Sequence, residues 1–176
     1  FWRVKECLGE KEVIAEDLGY VTDSVRQLVR DTGYPGMKVL EFAFDSRDTG
    51  SANDYLPHNY PENSVVYTGT HDNETLTGWF EGILPQERQM VRNYLNNHRD
   101  SDKEIYWDMV CTAMQSVSKL CVIPIQDYLG YGNEARMNQP STLGENWKWR
   151  LKKGELSEEL IQKIKNITMW YGRYYG

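Results

Sequence analysis

The chain has 176 residues, with 26 acidic and 20 basic side chains and a formal net charge of −6. That length suffices for one domain with a real core. The acidic balance argues against a nucleic-acid backbone or an anionic membrane surface as partner, and no apolar run approaches the ~20 residues of a membrane span. Cys7, Cys111 and Cys121 are odd in number and lack metal-ligand spacing. They read as reduced thiols in a cytoplasmic protein, the last two as small core residues. Six Trp and twelve Tyr against four Phe supply rings with a polar handle, which suit sugar clefts as well as ordinary cores. The chain starts at Phe1 rather than at a methionine, so it is expected to be one partial domain, residues 1–176, of something longer.

In chain order, Phe1–Glu12 reads as the end of a helix and a link. Val13–Leu18 is an apolar, β-branched strand that delivers Glu16 and Asp17 and stops at Gly19, as a buried parallel strand does. Thr22-Asp23-Ser24 offers N-caps to a helix carrying Val25, Leu28 and Val29, which Gly33 and Pro35-Gly36 terminate. Met37–Phe44 is predicted as a second strand and Asp45–Asn63 as a loop. Ser64–Thr70 is a third strand and runs into His71-Asp72-Asn73-Glu74. A short helix is expected over Thr75–Phe80 and a longer one from Pro85, with Met90, Val91, Tyr94 and Leu95 along it. Asp102–Leu120 is amphipathic, with Ile105, Met109, Ala113 and Val117 in register. Cys121–Gln126 is the fourth strand. A polar loop over Tyr128–Asn146, an aromatic-basic stretch Trp147–Leu151 and a final helix Ser157–Tyr175 complete the chain.

Three of the apolar strands end in an acid, at Glu16, Asp72 and Asp127, at nearly equal spacing. Four strands alternating with helices predict an α/β fold with a parallel sheet. Four are too few to close a (β/α)8 barrel, so the expectation is a small open sheet or half a barrel. If the strands are parallel, Glu16 and Asp72 share one mouth, where paired carboxylates serve glycosidic bond cleavage. The plainer reading, acids favoured at helix N-termini, carries equal weight from spacing alone. A metal site at His71-Asp72-Asn73 lacks a third ligand at recognised spacing, with His58 the only other histidine nearby. Arg136, Asn138, Trp147, Trp149 and Arg150 form a polar-aromatic cluster suited either to a sugar-contacting loop or to ordinary surface.

The ordered motifs VIAEDLG, PGMKVLEFAF, PHNY, VVYTGTHDNET, PIQDYLG and EARMNQPSTLGENWKWR together resemble the C-terminal part of the 4-alpha-glucanotransferases of glycoside hydrolase family 77, the amylomaltases or disproportionating enzymes. The resemblance runs from about Val13 to Arg150. It implies the C-terminal half of a (β/α)8 TIM barrel, with strands near 13–18, 37–44, 64–70 and 121–126 as the fifth to eighth. It also implies transfer of α-1,4-glucan segments to glucose or a malto-oligosaccharide, with no cofactor and no metal. Glu16 matches the family's general acid/base, and Asp72 matches its acid that stabilises the distorted sugar. His71, Phe42 and Asn138 match sugar-contacting positions. The family's nucleophilic aspartate lies on the strand before, and nothing like its Arg-x-Asp-His motif occurs here; Glu41 stands where the family often has glutamine. The isolated chain is therefore expected to be inactive, to need the missing N-terminal half of the barrel, and to form a homo-oligomer through its open face. The alternative is a non-catalytic carbohydrate-binding or assembly module.

Overall fold

The computed structural model describes residues 1–19, 21–46 and 53–174. Its centre is a parallel sheet of β1 (Gly36–Val39), β2 (Ser64–Tyr67) and β3 (Leu120–Val122), in the order β1-β2-β3. The register pairs Gly36 with Ser64 and Val65 with Leu120.

The predicted four strands are corrected to three. Val13–Leu18 meets the sheet at a single parallel bridge, Ala15 to Gly36, where Ala15 N–H donates to Pro35 O at 2.9 Å. The ladder stops there for a local reason. The next amide of β1, Met37 N–H, donates instead to Asp17 Oδ1 at 2.7 Å. Gly36 permits this approach, since a Cβ at that position would lie 2.5 Å from Asp17 Oδ2. A carboxylate thus takes the donor that a strand carbonyl would have used.

The other three strands are all shorter than predicted, Ser64–Thr70 ending at Tyr67. Leu40–Phe44 is a 3-10 helix with Leu40, Glu41, Ala43 and Phe44 buried. Burial of consecutive residues suits a tight turn in the core rather than an alternating strand. The Asn53 side chain donates to Phe42 O at 3.4 Å and Ala43 O at 3.3 Å, satisfying carbonyls at its end. After β3, Pro124 caps a short helix and has no N–H for a ladder. Asp127 therefore lies within that helix and not at a strand end.

Seven α-helices surround the sheet within the described residues: α1 (Trp2–Leu8), α2 (Asp23–Thr32), α3 (Leu76–Gly82), α4 (Pro85–Tyr94), α5 (Ile105–Gln115), α6 (Ile125–Leu129) and α7 (Glu158–Trp170). The expected caps are present, Thr22 and Ser157 accepting from Val25 and Leu160 N–H, and Thr75, expected inside α3, instead caps it by accepting from Gly78 N–H. α5 ends before Leu120 because the Arg173 guanidinium donates to the carbonyls of Met114, Ser116 and Ser118, at 2.6, 2.9 and 3.0 Å. A side chain thereby completes acceptors that further helix would have used. In the predicted 45–63 loop, Pro57–Asn59 forms a 3-10 turn; residues 47–52 of that loop and Tyr175 of the predicted final helix lie outside the described residues.

The core lies on one face of the sheet, where Leu40, Phe44, Val66, Leu76, Trp79, Val91, Met109 and Val110 are buried together. Ile14, Leu120 and Val122 remain exposed. Among the described residues no helix is long and apolar enough to cross a membrane.

Candidate active site

β2 ends at Tyr67 and the chain turns through Thr70–Asn73 before α3 begins. The turn is built by its own side chains. Asn73 Oδ1 accepts from Thr70 N–H at 3.0 Å and from Thr70 Oγ1 at 2.6 Å, while Asp72 N–H donates to Thr70 Oγ1 at 3.2 Å. Asn and Thr favour such turns because their short side chains reach nearby backbone groups. His71 and Asp72 are thereby held outward, with side chains 59% and 48% exposed.

The loop after α6 clasps this turn. Asn138 Nδ2 donates to Asp72 Oδ1 at 2.6 Å, and Asn138 N–H donates to His71 O at 3.1 Å. Arg136 donates to the backbone carbonyls of Asp72, at 2.7 Å, and of Asn138, at 2.9 Å. His71 Nε2 lies 3.3 Å from Asp72 Oδ1, and the Trp147 ring stands 5.1 Å from the His71 ring. The Arg150 guanidinium donates to Trp147 O and to Trp149 O, each at 2.7 Å.

Glu16 follows the Ala15 bridge. With Asp17 committed to β1, Glu16 is exposed. Glu16, Phe42, Tyr67, His71, Asp72 and Pro124 line one cleft of about 820 Å³ at the carboxyl ends of the strands. Its lining also includes Met37 and Val122 from the sheet and Ile14 from the segment beside β1. Four of the five predicted site residues thus face one space, and Asn138 reaches it through its bond to Asp72. Open α/β sheets and barrels place ligands at this end.

Asp127, grouped in the sequence with Glu16 and Asp72, is not in the cleft. It is 1% exposed, and accepts from Leu76 N–H at 2.9 Å and Thr68 Oγ1 at 2.5 Å. Burial pushes its carboxyl up to about 6, against these two donors. Its place is structural: it ties α6 to the start of α3 and the end of β2. Thr70 and Asn73 did not stand out in the sequence, although Thr-x-x-Asn around an acid is a readable turn signal. His58 is remote from the cleft and bonds Tyr94 Oη at 3.1 Å. Among the described residues no group of three or more His, Cys, Asp and Glu is placed to hold a metal ion.

A parallel α/β sheet with acids and a histidine gathered at its carboxyl ends defines the class of the molecule. The sequence model of glycoside hydrolase family 77, described as 4-alpha-glucanotransferase, matches residues 1–157, and the chain belongs to that family. It is 44% identical to the 4-alpha-glucanotransferase of Clostridium butyricum over 97% of this chain and 34% of that protein. It is 46% identical to that of Thermus thermophilus, over 90% of this chain and 32% of that protein. An amylomaltase from Streptococcus agalactiae, solved in complex with acarbose, superposes with a TM-score of 0.90 at 38% identity, over 98% of this chain and 34% of that one. The chain therefore spans about a third of the length of these relatives.

Proposed function

We propose that the protein carrying this chain is a 4-alpha-glucanotransferase that works by retaining double displacement, with this chain as the C-terminal half of its barrel. The observation that carries the reading is the shared cleft of Glu16, Asp72, His71 and Phe42. A nucleophilic aspartate from outside this chain attacks the anomeric carbon while Glu16 protonates the leaving oxygen. Glu16 then takes the proton from the 4-hydroxyl of glucose or a malto-oligosaccharide, so transfer replaces hydrolysis. Asp72 binds hydroxyls of the distorted ring more strongly in the transition state than before it. Its free cleft-side surface and the aromatic neighbours His71, Trp147 and Phe42 support that role. The reaction calls for no metal and no cofactor. Alone, the chain is inactive for want of the nucleophile, and its exposed Ile14, Leu120 and Val122 favour self-association until the other half of the barrel covers them.

The test is disproportionation of maltotriose by the full-length protein. Glu16→Gln is expected to lower kcat by about 10²–10⁴-fold with malto-oligosaccharide binding retained. Near-normal turnover in that variant would remove Glu16 from the acid/base role.

A further inference from the structure

Beneath the Thr70–Asn73 turn sits an acid that the proposed reaction does not use. Glu41 lies in the 3-10 helix after β1 and is 5% exposed. Its N–H donates to Thr68 O at 3.2 Å, at the end of β2. Its carboxyl packs under the backbone of Gly69. A Cβ at Gly69 would lie 2.8 Å from Glu41 Oε1 and 3.2 Å from Asn73 Cβ, so glycine is what lets the three groups meet. The Asn73 side chain is the neutral polar neighbour that favours charge on the Glu41 carboxyl, and Oε1 has no hydrogen-bond partner.

The surroundings disfavour a charge. Asp127 from α6 and Glu74 from the segment before α3 both face Glu41 with negative character, and Arg136 is the cation that opposes them. Arg136 is already engaged with the carbonyls of Asp72 and Asn138, and Glu74 with Asn133 Nδ2 at 2.7 Å. A carboxylate at Glu41 would be a buried ion with one neutral polar neighbour and two like charges, an arrangement proteins avoid by neutralising the group. Burial, then Asp127, then Glu74 hold the Glu41 carboxyl well above its ordinary range. Asp127 accepts two hydrogen bonds whereas Glu41 Oε1 accepts none, so Asp127 ionises first and its charge keeps the proton on Glu41.

We propose that Glu41 is a positioning residue, a buried acid that holds Asn73 and, through Asn73 and Thr70, the turn that presents Asp72 to the cleft. The chemistry of Asn73 makes the link specific. Its oxygen is occupied by Thr70 N–H and Thr70 Oγ1, which leaves its NH2 for Glu41. Thr70 Oγ1 in turn receives Asp72 N–H. Ionised, Glu41 is repelled by Asp127 and Glu74 and draws water or moves, and Asn73 moves with it. The inference rests on the reading of Asp72 as a cleft acid, but the position of the turn is measurable without activity.

Three variants of the full-length protein decide the matter. Glu41→Gln stays uncharged at every pH and keeps a polar partner for Asn73. It is expected to keep kcat within about twofold at neutral pH, and to hold that kcat further into alkali than the natural protein does. Glu41→Leu fills the space but offers Asn73 nothing; its kcat should fall about tenfold with KM little changed, as loss of one buried hydrogen bond implies. Should Glu41→Leu fail to fold, Glu41→Met takes its place. The infrared difference between the natural protein and Glu41→Gln at pH 7 should contain the carbonyl band of a protonated carboxyl. The His71 ring proton resonances, shifted by the Trp147 ring, should move in Glu41→Leu and not in Glu41→Gln. Equal kcat in the leucine and glutamine variants, or a carboxylate band in place of the carboxyl band, would overturn the proposal. A full-length protein that transfers no glucan would sink the proposed function, while the infrared and His71 signals would still decide the place of Glu41.

Discussion

Asp72 follows β2 and Asp127 follows β3, each as the polar end of an apolar run, and their surroundings differ in every respect that governs a carboxylate. Asp127 is enclosed, takes a backbone amide and a hydroxyl, and fastens α6 to α3. Asp72 has one carboxylate oxygen steadied by Asn138 and nearly half its side-chain surface open to the cleft. A fully engaged acid serves the fold, because removing it strands buried donors. An acid with free surface and a rigid backbone is available to a substrate, because its orientation is set while its remaining lone pairs are not.

Exchanging the chemistry at each site should separate the two regions. The largest expected effect is on turnover: Asp72→Asn in the full-length protein should lower kcat by about 10²–10³-fold, with the melting temperature unchanged within error. A large drop in melting temperature instead would move Asp72 to the structural side.

Asp127 should show the converse. Asp127→Ala strands Leu76 N–H and Thr68 Oγ1 and should cost about 2–4 kcal/mol of stability by denaturant unfolding. The pH dependence sharpens the point. The folded-state value of Asp127, about 6, lies above the ordinary 3.8. Its contribution to stability is therefore fully present below about 3.8 and is lost as pH rises through 6, by roughly 3 kcal/mol. Asp127→Asn keeps an oxygen for Leu76 N–H and carries no charge. It should flatten that part of the curve of melting temperature against pH between 4 and 7; an unaltered slope would show that Asp127 is not the group responsible.

The smallest effect is expected at Asn138, which holds Asp72 without lying on the cleft wall. Asn138→Ala should reduce kcat about three- to tenfold, the value of one exposed hydrogen bond to a charged group. No change in kcat would place the orientation of Asp72 wholly in its own turn.

Sequence and structure divide the explanation along physical lines. Local chemistry was legible in the chain: the caps Thr22 and Ser157, the stop at Gly33 and Pro85 at the start of α4 all rest on interactions between residues a few positions apart. The ordered motifs also carried the family, since Glu16, Phe42, His71, Asp72 and Asn138 each sit in a recognisable string. What only the tertiary structure decided depends on groups far apart in sequence. Asp17 takes the amide of Met37 and ends a strand that composition alone extends. Asn53 receives the end of the 3-10 helix at Leu40–Phe44, and Arg173 cuts α5 short. The identical sequence context of Asp72 and Asp127, an acid after an apolar strand, says nothing about which is enclosed, because burial is set by whatever packs over the group. At Asp127 the cover is the start of α3 and the end of β2; at Asp72 it is the edge of an open cleft.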